Sequence, residues 1–306
     1  MSAARQVGYR VLGRGFDYLL HLRPAEWPIL TVHLLTGSAL GMGVVGLLRG
    51  EGGWKLAAGC AAFVVGLNGG TLALNSAFDR DEGDVAYLRK PPPPPKHLAA
   101  FGLGMMGLAI AIATRLPIRF FSATALCFLL SVLYSVPPAR LKAVAGVDWL
   151  VNLVGFGFLT PYAGWALTGR ELEGPGRTVL FSFALLFGAL YPLTQLYQLD
   201  EDRRRGDQTF AVALGVDRSL AAALVLAALA FAGFAIAGAE SGWGRTTAAP
   251  AKWTALATAA VTWALVLIPW WRRRRVMGPA AHQAGMHRAL VAWAMTDLAV
   301  LFSWAL

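Results

Sequence analysis

Charged residues are scarce in this sequence. Of its 306 residues only 14% are charged and 57% are hydrophobic, whereas a soluble domain carries about 25% charged residues. This shortage excludes a water-soluble fold and a disordered chain. Cysteine is also scarce, because Cys60 and Cys127 are the only two and both lie in apolar runs, which excludes a disulfide scaffold. The composition therefore predicts a polytopic membrane protein, with the lipid bilayer as its surroundings.

Apolar stretches alternate with short polar segments along the chain. Each is long enough for a helix that rises 1.5 Å per residue to cross a hydrocarbon core of about 30 Å. The predicted spans are 26–48, 54–78, 97–114, 119–136, 146–168, 178–199, 216–238, 250–271 and 286–306. Aromatic and aliphatic residues mixed with arginines precede them, a pattern typical of a helix lying on the membrane surface. We therefore predict an all-α protein with an interfacial segment over 1–25 and a nine-helix transmembrane domain over 26–306.

The formal net charge of +10 is distributed unevenly between the two sides of this map. The N-terminal segment and the loops after spans two, four, six and eight carry 19 of the 27 lysines and arginines, and the opposite side carries the other eight. Basic loops mark the cytoplasmic side. We therefore predict a cytoplasmic N-terminus and an outward C-terminus, and we attribute the positive charge to these loops and not to a nucleic-acid partner.

Acidic residues are the rarer charged type, and eight of the 17 lie in two clusters. The first, Asp79, Asp81, Glu82 and Asp84, closes span two, and the second, Asp200, Glu201, Asp202 and Asp207, closes span six. Four spans lie between them, so both clusters are predicted on the cytoplasmic side. Facing carboxylates repel one another unless a cation lies between them, and carboxylate oxygens together with substrate phosphates are usual Mg²⁺ ligands. The clusters therefore predict a Mg²⁺ site.

Polar residues continue from each cluster back into its span. Helical spacing places on one face the residues Asn68, Asn75 and Asp79 in span two, and Tyr191, Gln195, Gln198 and Asp202 in span six. Polar groups within a span normally face the bundle interior or a cavity, so the two stripes predict a pocket open to the cytoplasm. For Asn68 and Gln195, hydrogen bonds that only join neighbouring helices are an equally good explanation.

A third loop on the same side has the sequence Tyr-Ser-Val-Pro-Pro-Ala-Arg-Leu-Lys, from Tyr134 to Lys142. Its cations, Arg140 and Lys142, follow span four and are predicted to stand beside the acids. Cations next to a metal–carboxylate site suit a diphosphate, whose charge exceeds what one Mg²⁺ neutralises. Taken alone, these cations would be ordinary positive charge of a cytoplasmic loop.

Together these motifs resemble the UbiA superfamily of intramembrane prenyltransferases. The first cluster resembles its Asn-x-x-x-Asp-rich motif, the second resembles its other Asp-rich motif followed by Gly-x-x-Thr at Gly206 and Thr209, and the Tyr134 to Lys142 loop resembles a family segment. Arg23-Pro24 with Trp27-Pro28 is similar to the usual family opening. The resemblance covers the whole chain in order.

The resemblance implies a helical bundle around a lipid-accessible cavity with cytoplasmic cap loops, in a bacterial-type inner membrane. It implies Mg²⁺-dependent transfer of a prenyl group from a prenyl diphosphate donor to a hydrophobic or aromatic acceptor. The implied metal ligands are Asn75, Asp79, Glu82, Asp84, Gln198 and Asp202. The implied diphosphate contacts are Arg23, Arg140 and Lys142, and the implied catalytic residues are Asp79, Asp202, Lys142 and Tyr134.

The sequence departs from the family pattern at two positions that bear on metal binding. Gly83 stands where the family often has an acid, and Gln198 stands where the second motif usually begins with one. Glutamine ligates through oxygen but brings no charge. Two other functions stay open. The same site without an acceptor would make a membrane terpene cyclase, and a non-enzymatic transporter would instead place ionisable residues near mid-membrane.

Overall fold

The computed structural model describes residues 3–79, 84, 85, 87–172 and 174–305. Over these residues the chain is helical, and its β-type pairings are two isolated bridges, Val85 with Leu88 and Val144 with Gln208. The helices are α1 (Ala3–Leu12), α2 (Phe16–His21), α3 (Trp27–Met42), α4 (Val44–Leu48), α5 (Gly53–Asp79), α6 (Leu98–Ala113), α7 (Ile118–Ser135), α8 (Val147–Leu167), α9 (Gly174–Gln195), α10 (Leu199–Arg205), α11 (Phe210–Glu240), α12 (Ala249–Arg273) and α13 (Pro279–Ala305). Short 3₁₀ turns join several of them. The predicted all-α class is therefore confirmed for the described residues.

Within the described part of the chain, seven helices are long and apolar enough to cross a membrane, namely α5, α7, α8, α9, α11, α12 and α13. The predicted span 26–48 falls on α3 and α4, which are separated at Gly43 with φ 84°. The predicted span 97–114 is α6, which has 16 residues. A helix of that length rises about 24 Å, less than the core of about 30 Å. The count of nine spans therefore stays a prediction.

Two compact units make up the chain. The first contains residues 1–31 and 53–139, and the second contains residues 32–52 and 140–306. In the first unit α5 packs closely on α6 at Gly70 and Gly102. A Cβ atom added to Gly70 would lie only 2.6 Å from the Gly102 carbonyl oxygen, so a larger side chain would not fit there. In the second unit the Gly164 position would place such an atom 1.8 Å from the carbonyl oxygen of Leu34. Small residues at helix contacts let backbones approach closely, as is usual in membrane proteins.

Both α5 and α8 contain a wider π-helical stretch, Ala61–Asn68 in the first unit and Leu153–Leu159 in the second. Such stretches shift the register of the residues that follow and are frequent near functional sites. Asn68, where the first stretch ends, is buried. The π-helical stretch in α5 therefore lies between its apolar beginning and the motif residues at its end.

Candidate active site

The first motif lies on the last turns of α5 in the first unit. Asn75 and Asp79 are four residues apart and share one helix face. Arg23 is brought to these turns, since it is buried and its Nη2 donates a hydrogen bond to Ser76 Oγ over 3.4 Å. Its backbone is left-handed, with φ 50° and ψ 60°, immediately before Pro24. The predicted diphosphate contact Arg23 therefore lies beside the first motif.

The loop after α5 holds the rest of the first motif. Asp84 Oδ1 accepts a hydrogen bond from the Lys90 backbone N–H over 2.9 Å, and this bond encloses the Val85–Leu88 bridge. Glu82 lies outside the described residues, as do Arg80, Asp81 and Gly83. Tyr134 is on the last turn of α7 in the same unit and is partly buried. The metal and catalytic roles predicted for these residues stay predictions.

In the second unit, the second motif forms a helix of its own. α9 ends at Gln195, and α10 begins at Leu199 after a turn. Gly206 ends α10 in the left-handed conformation with φ 77°, and Thr209 Oγ1 caps α11 by accepting from the Val212 N–H over 3.3 Å. The Gly-x-x-Thr spacing therefore stops one helix and starts the next. The prediction that span six runs to residue 199 with one continuous polar stripe was wrong.

Arg205 forms ion pairs with three carboxylates of the second motif. Its Nη2 donates to Asp202 Oδ1 over 2.8 Å, its Nη1 donates to Glu201 Oε1 over 3.2 Å, and its Nε lies 3.5 Å from Asp207 Oδ2. Asp202 is buried, and burial raises the pKa of its carboxyl while Arg205 acts in the opposite direction. A bound divalent cation would favour the charged carboxylate in the same sense as Arg205. Asp200 instead faces solvent beside Arg203.

The third loop meets the second motif within the second unit. Arg140 has a left-handed backbone and donates from both Nη atoms to the Asp207 carboxylate, with 3.2 Å between Nη2 and Oδ2. Lys142 follows on the next turn and is 7% exposed. The Gln208 N–H donates to the Ala143 carbonyl over 3.2 Å. The loop that carries both predicted diphosphate contacts is therefore tied to the segment that follows α10.

Asp148 is a buried acid that the sequence patterns did not single out. Its Oδ1 accepts from the Gly146 N–H over 3.0 Å, and its Oδ2 accepts from the Phe210 N–H over 2.8 Å. Tyr191 Oη and Gln195 Nε2 also donate to Oδ2, over 3.3 Å and 3.4 Å. The interhelical explanation for Gln195 is thus the one that the geometry supports. The available signal was a lone acid in the first turn of an apolar stretch.

The donor atoms of both motifs suit a hard cation. Among the described residues, no three histidine, cysteine or carboxylate side chains converge as a preformed metal site. The motifs nevertheless supply the carboxylates of Asp79 and Asp202 and the amide oxygens of Asn75 and Gln198. Oxygen ligands of this kind, completed by water and substrate phosphates, are what Mg²⁺ prefers. The residues present in each motif therefore suit Mg²⁺ as a ligand set that substrate phosphates would complete.

Comparisons with known proteins agree with this picture. The UbiA prenyltransferase family model matches residues 35–294. A lycopene elongase/hydratase of Halobacterium salinarum is 27% identical over 215 residues, which is 67% of this chain and 74% of the relative. The structure of a UbiA homologue of Archaeoglobus fulgidus bound to DMAPP and Mg²⁺ shares the fold, with a TM-score of 0.65 and 17% identity over 94% of this chain and 99% of that one.

The same homologue bound to GPP and Mg²⁺ gives a TM-score of 0.63 with 17% identity, over 94% of this chain and 99% of that one. These structural likenesses concern the fold, and the family model spans most of the sequence. The motifs on which the resemblance rested lie within the matched residues, except Arg23 and its neighbours. The chain belongs to the UbiA prenyltransferase family and is an integral membrane prenyltransferase.

Proposed function

We propose that this protein uses Mg²⁺ to transfer the prenyl group of a prenyl diphosphate to an apolar lipidic acceptor. The supporting observation is the same combination in each unit, where an oxygen-rich motif and a buried cationic side chain lie at the end of a membrane helix. In the first unit Arg23 lies beside the turns that carry Asn75 and Asp79. In the second unit buried Lys142 follows Arg140, which contacts Asp207 of the second motif.

In this proposal both motifs supply oxygen ligands for Mg²⁺. The first supplies Asn75, Asp79, Glu82 and Asp84 as oxygen ligands, and the second supplies Gln198 and Asp202. When bound, Mg²⁺ neutralises charge on the leaving diphosphate. Structures of the Archaeoglobus fulgidus homologue hold Mg²⁺ together with DMAPP or GPP, which supports this choice of metal and donor.

The cationic and aromatic side chains act on the diphosphate directly. Arg23, Arg140 and Lys142 are proposed to bind its phosphate oxygens. Arg23 can offer the planar fork of its guanidinium group to two of them, whereas Arg140 pairs with Asp207 through both Nη atoms and contributes its positive charge. Tyr134, at the end of α7, is proposed to assist as the diphosphate departs. The apolar side chains of the spans keep water from the allylic carbon until the acceptor reaches it.

A lipidic acceptor is favoured over a small aromatic one. The support is the lycopene elongase/hydratase of Halobacterium salinarum, whose similarity extends over two thirds of this chain. An apolar polyene would reach the spans from the bilayer without crossing water. We therefore propose an acceptor of the carotenoid or isoprenoid class.

The test is product analysis with purified protein in detergent. DMAPP or GPP is supplied with Mg²⁺, with and without lycopene, and lipids are examined by mass spectrometry. The expected product is lycopene extended by the donor's prenyl group, formed only when all three components are present. Diphosphate release with a new hydrocarbon from the donor alone would replace transfer with cyclisation. No consumption of either donor would contradict the proposed donor and metal.

A further inference from the structure

Asp148 holds three segments of the second unit together, although it belongs to neither acid cluster. Its side chain is completely buried, and four described hydrogen bonds converge on its two oxygens. Two of the donors are backbone N–H groups, from Gly146 and Phe210. The other two are the side chains of Tyr191 and Gln195. Donors from residues 2 to 62 positions away in sequence therefore meet at one carboxylate.

Each of these segments leads directly to a motif. Gly146 ends the loop that carries Arg140 and Lys142, and Phe210 is the residue after the cap Thr209. Gln195 ends α9, three residues before Gln198, and its Oε1 also accepts from the Ala211 N–H over 3.4 Å. Asp148 therefore joins the loop at 140–146 to both ends of the second motif.

The chemistry of the position requires an acceptor with two oxygens. Asp148 lies in the first turn of α8 and accepts from the first residue of α11, so the positive ends of two helix dipoles are directed toward its charge. An apolar replacement would leave the partly buried N–H groups of Gly146 and Phe210 without this acceptor, which is costly. The backbone at 206–210 would then lose one of its ties to the loop at 140–146.

We propose that Asp148 is a positioning residue for prenyl transfer, which fixes the loop at 140–146 against the segment at 206–210 and thereby places Lys142 and Asp202 for diphosphate and Mg²⁺. This inference rests on the proposed function. Asp148 acts through the loop and makes no contact with substrate. Its removal should therefore weaken donor and metal binding more than it slows the bound complex.

Steady-state kinetics test the proposal with two substitutions. Asp148→Ala should raise both the KM for DMAPP and the Mg²⁺ concentration for half-maximal rate by about tenfold, the usual loss when support for a metal site is removed. Asp148→Asn should cause a smaller rise, because its amide oxygen still accepts from the Phe210 N–H. The matched control is Trp263→Phe, which breaks a buried bond to Thr296 elsewhere in the unit. This control should lower thermal stability but leave the KM for DMAPP and the Mg²⁺ concentration for half-maximal rate unchanged.

Hydrogen exchange provides a readout that needs no turnover. In Asp148→Ala, amides in the segment 206–214 should exchange faster than in wild type, whereas Trp263→Phe should leave them protected. Unchanged KM, Mg²⁺ midpoint and exchange in a folded Asp148→Ala protein would overturn the inference. If that variant does not fold, unchanged values in Asp148→Asn would overturn it equally. If the wild-type protein consumes neither DMAPP nor GPP, the proposed function is overturned instead. That result is obtained without the Asp148 variants, so the two failures can be distinguished.

Discussion

His33 Nδ1 and Asp297 Oδ1 lie 2.9 Å apart in the interior of the second unit and join α3 to α13. Both side chains are almost fully buried. The His33 ring also makes edge-to-face contacts with Phe183 and Trp293, at 4.8 Å between ring centroids in each case. Ionisable groups among apolar helices are costly unless they pair with each other, so each residue makes burial of the other possible.

This pairing predicts strong coupling between substitutions. Asp297→Leu alone should destabilise the protein by about 3 kcal/mol, because it leaves a buried histidine without its partner. The double variant His33→Leu with Asp297→Leu should lose clearly less than the sum of the two single losses. Thermal unfolding in detergent, followed by tryptophan fluorescence, measures the coupling. Met295→Leu, an exposed change on the same helix, is the control, and strictly additive losses would contradict the pairing.

Metal dependence is predicted for both motifs. Activity should vanish in EDTA and return with Mg²⁺. Asp79→Ala and Asp202→Ala should each lower turnover by roughly 100-fold while the protein stays folded, because each removes a charged oxygen ligand. Asp217→Asn changes an exposed acid that contacts Arg274, the residue after α12, and is the matched control, which should retain wild-type rates. Full activity in both alanine variants would contradict a metal-binding role for the two acid clusters.

The sequence pattern located the helices well, because an apolar stretch in lipid must satisfy its backbone hydrogen bonds internally and therefore forms a helix. The predicted stretch 119–136 became Ile118–Ser135, and 146–168 became Val147–Leu167. The same hydrophobic pattern could not show that α3 stops at Met42, because the run stays apolar and the helix is interrupted by the positive φ of Gly43.

The connection between Gln195 and Leu199 could not be predicted from local signals. Pro192 lies one turn before the end of α9, but the helix continues past it to Gln195. Neither proline nor glycine lies between Gln195 and Leu199, and the polar residues keep helical spacing into α10. The side chain of Gln195 contacts Asp148 and Ala211, which are 47 and 16 residues away. Contacts of this kind depend on tertiary structure, which also explains why Asp148 escaped detection as a lone acid in an apolar run.

Membrane topology gives a prediction that tests whether the short helix α6 crosses the membrane. Nine spans place four between the motifs and both motifs in the cytoplasm, whereas omitting the short α6 would leave three and put the motifs on opposite sides. We expect Leu88→Cys and Arg204→Cys, each in a Cys60→Ser, Cys127→Ser background, to be protected from an impermeant maleimide in intact cells. Both should react after the cells are opened. Labelling of one site in intact cells would contradict the nine-span map.

Gln198 provides the last prediction, which concerns how tightly Mg²⁺ is held. Gln198 immediately precedes α10, and its carbonyl accepts from the Asp202 N–H over 2.9 Å, so its side chain lies one turn before Asp202. A neutral ligand attracts Mg²⁺ less than a carboxylate does, because the Coulomb attraction of a full charge is missing. Gln198→Asp should therefore be active and reach half-maximal rate at a lower Mg²⁺ concentration than wild type, and Gln198→Leu should need a higher one.

The position of Gln198 also requires a control for helix capping. Aspartate is a better N-cap than glutamine and could stabilise α10 without touching the metal. Gln198→Asn separates the two effects, since asparagine caps equally well but carries no charge. A Mg²⁺ titration of the purified variants should move the midpoint down for aspartate only, while thermal unfolding should show a similar gain for aspartate and asparagine. If aspartate and asparagine shift the midpoint alike, or leucine leaves it unmoved, Gln198 is not a metal ligand, and the second motif binds Mg²⁺ through Asp202.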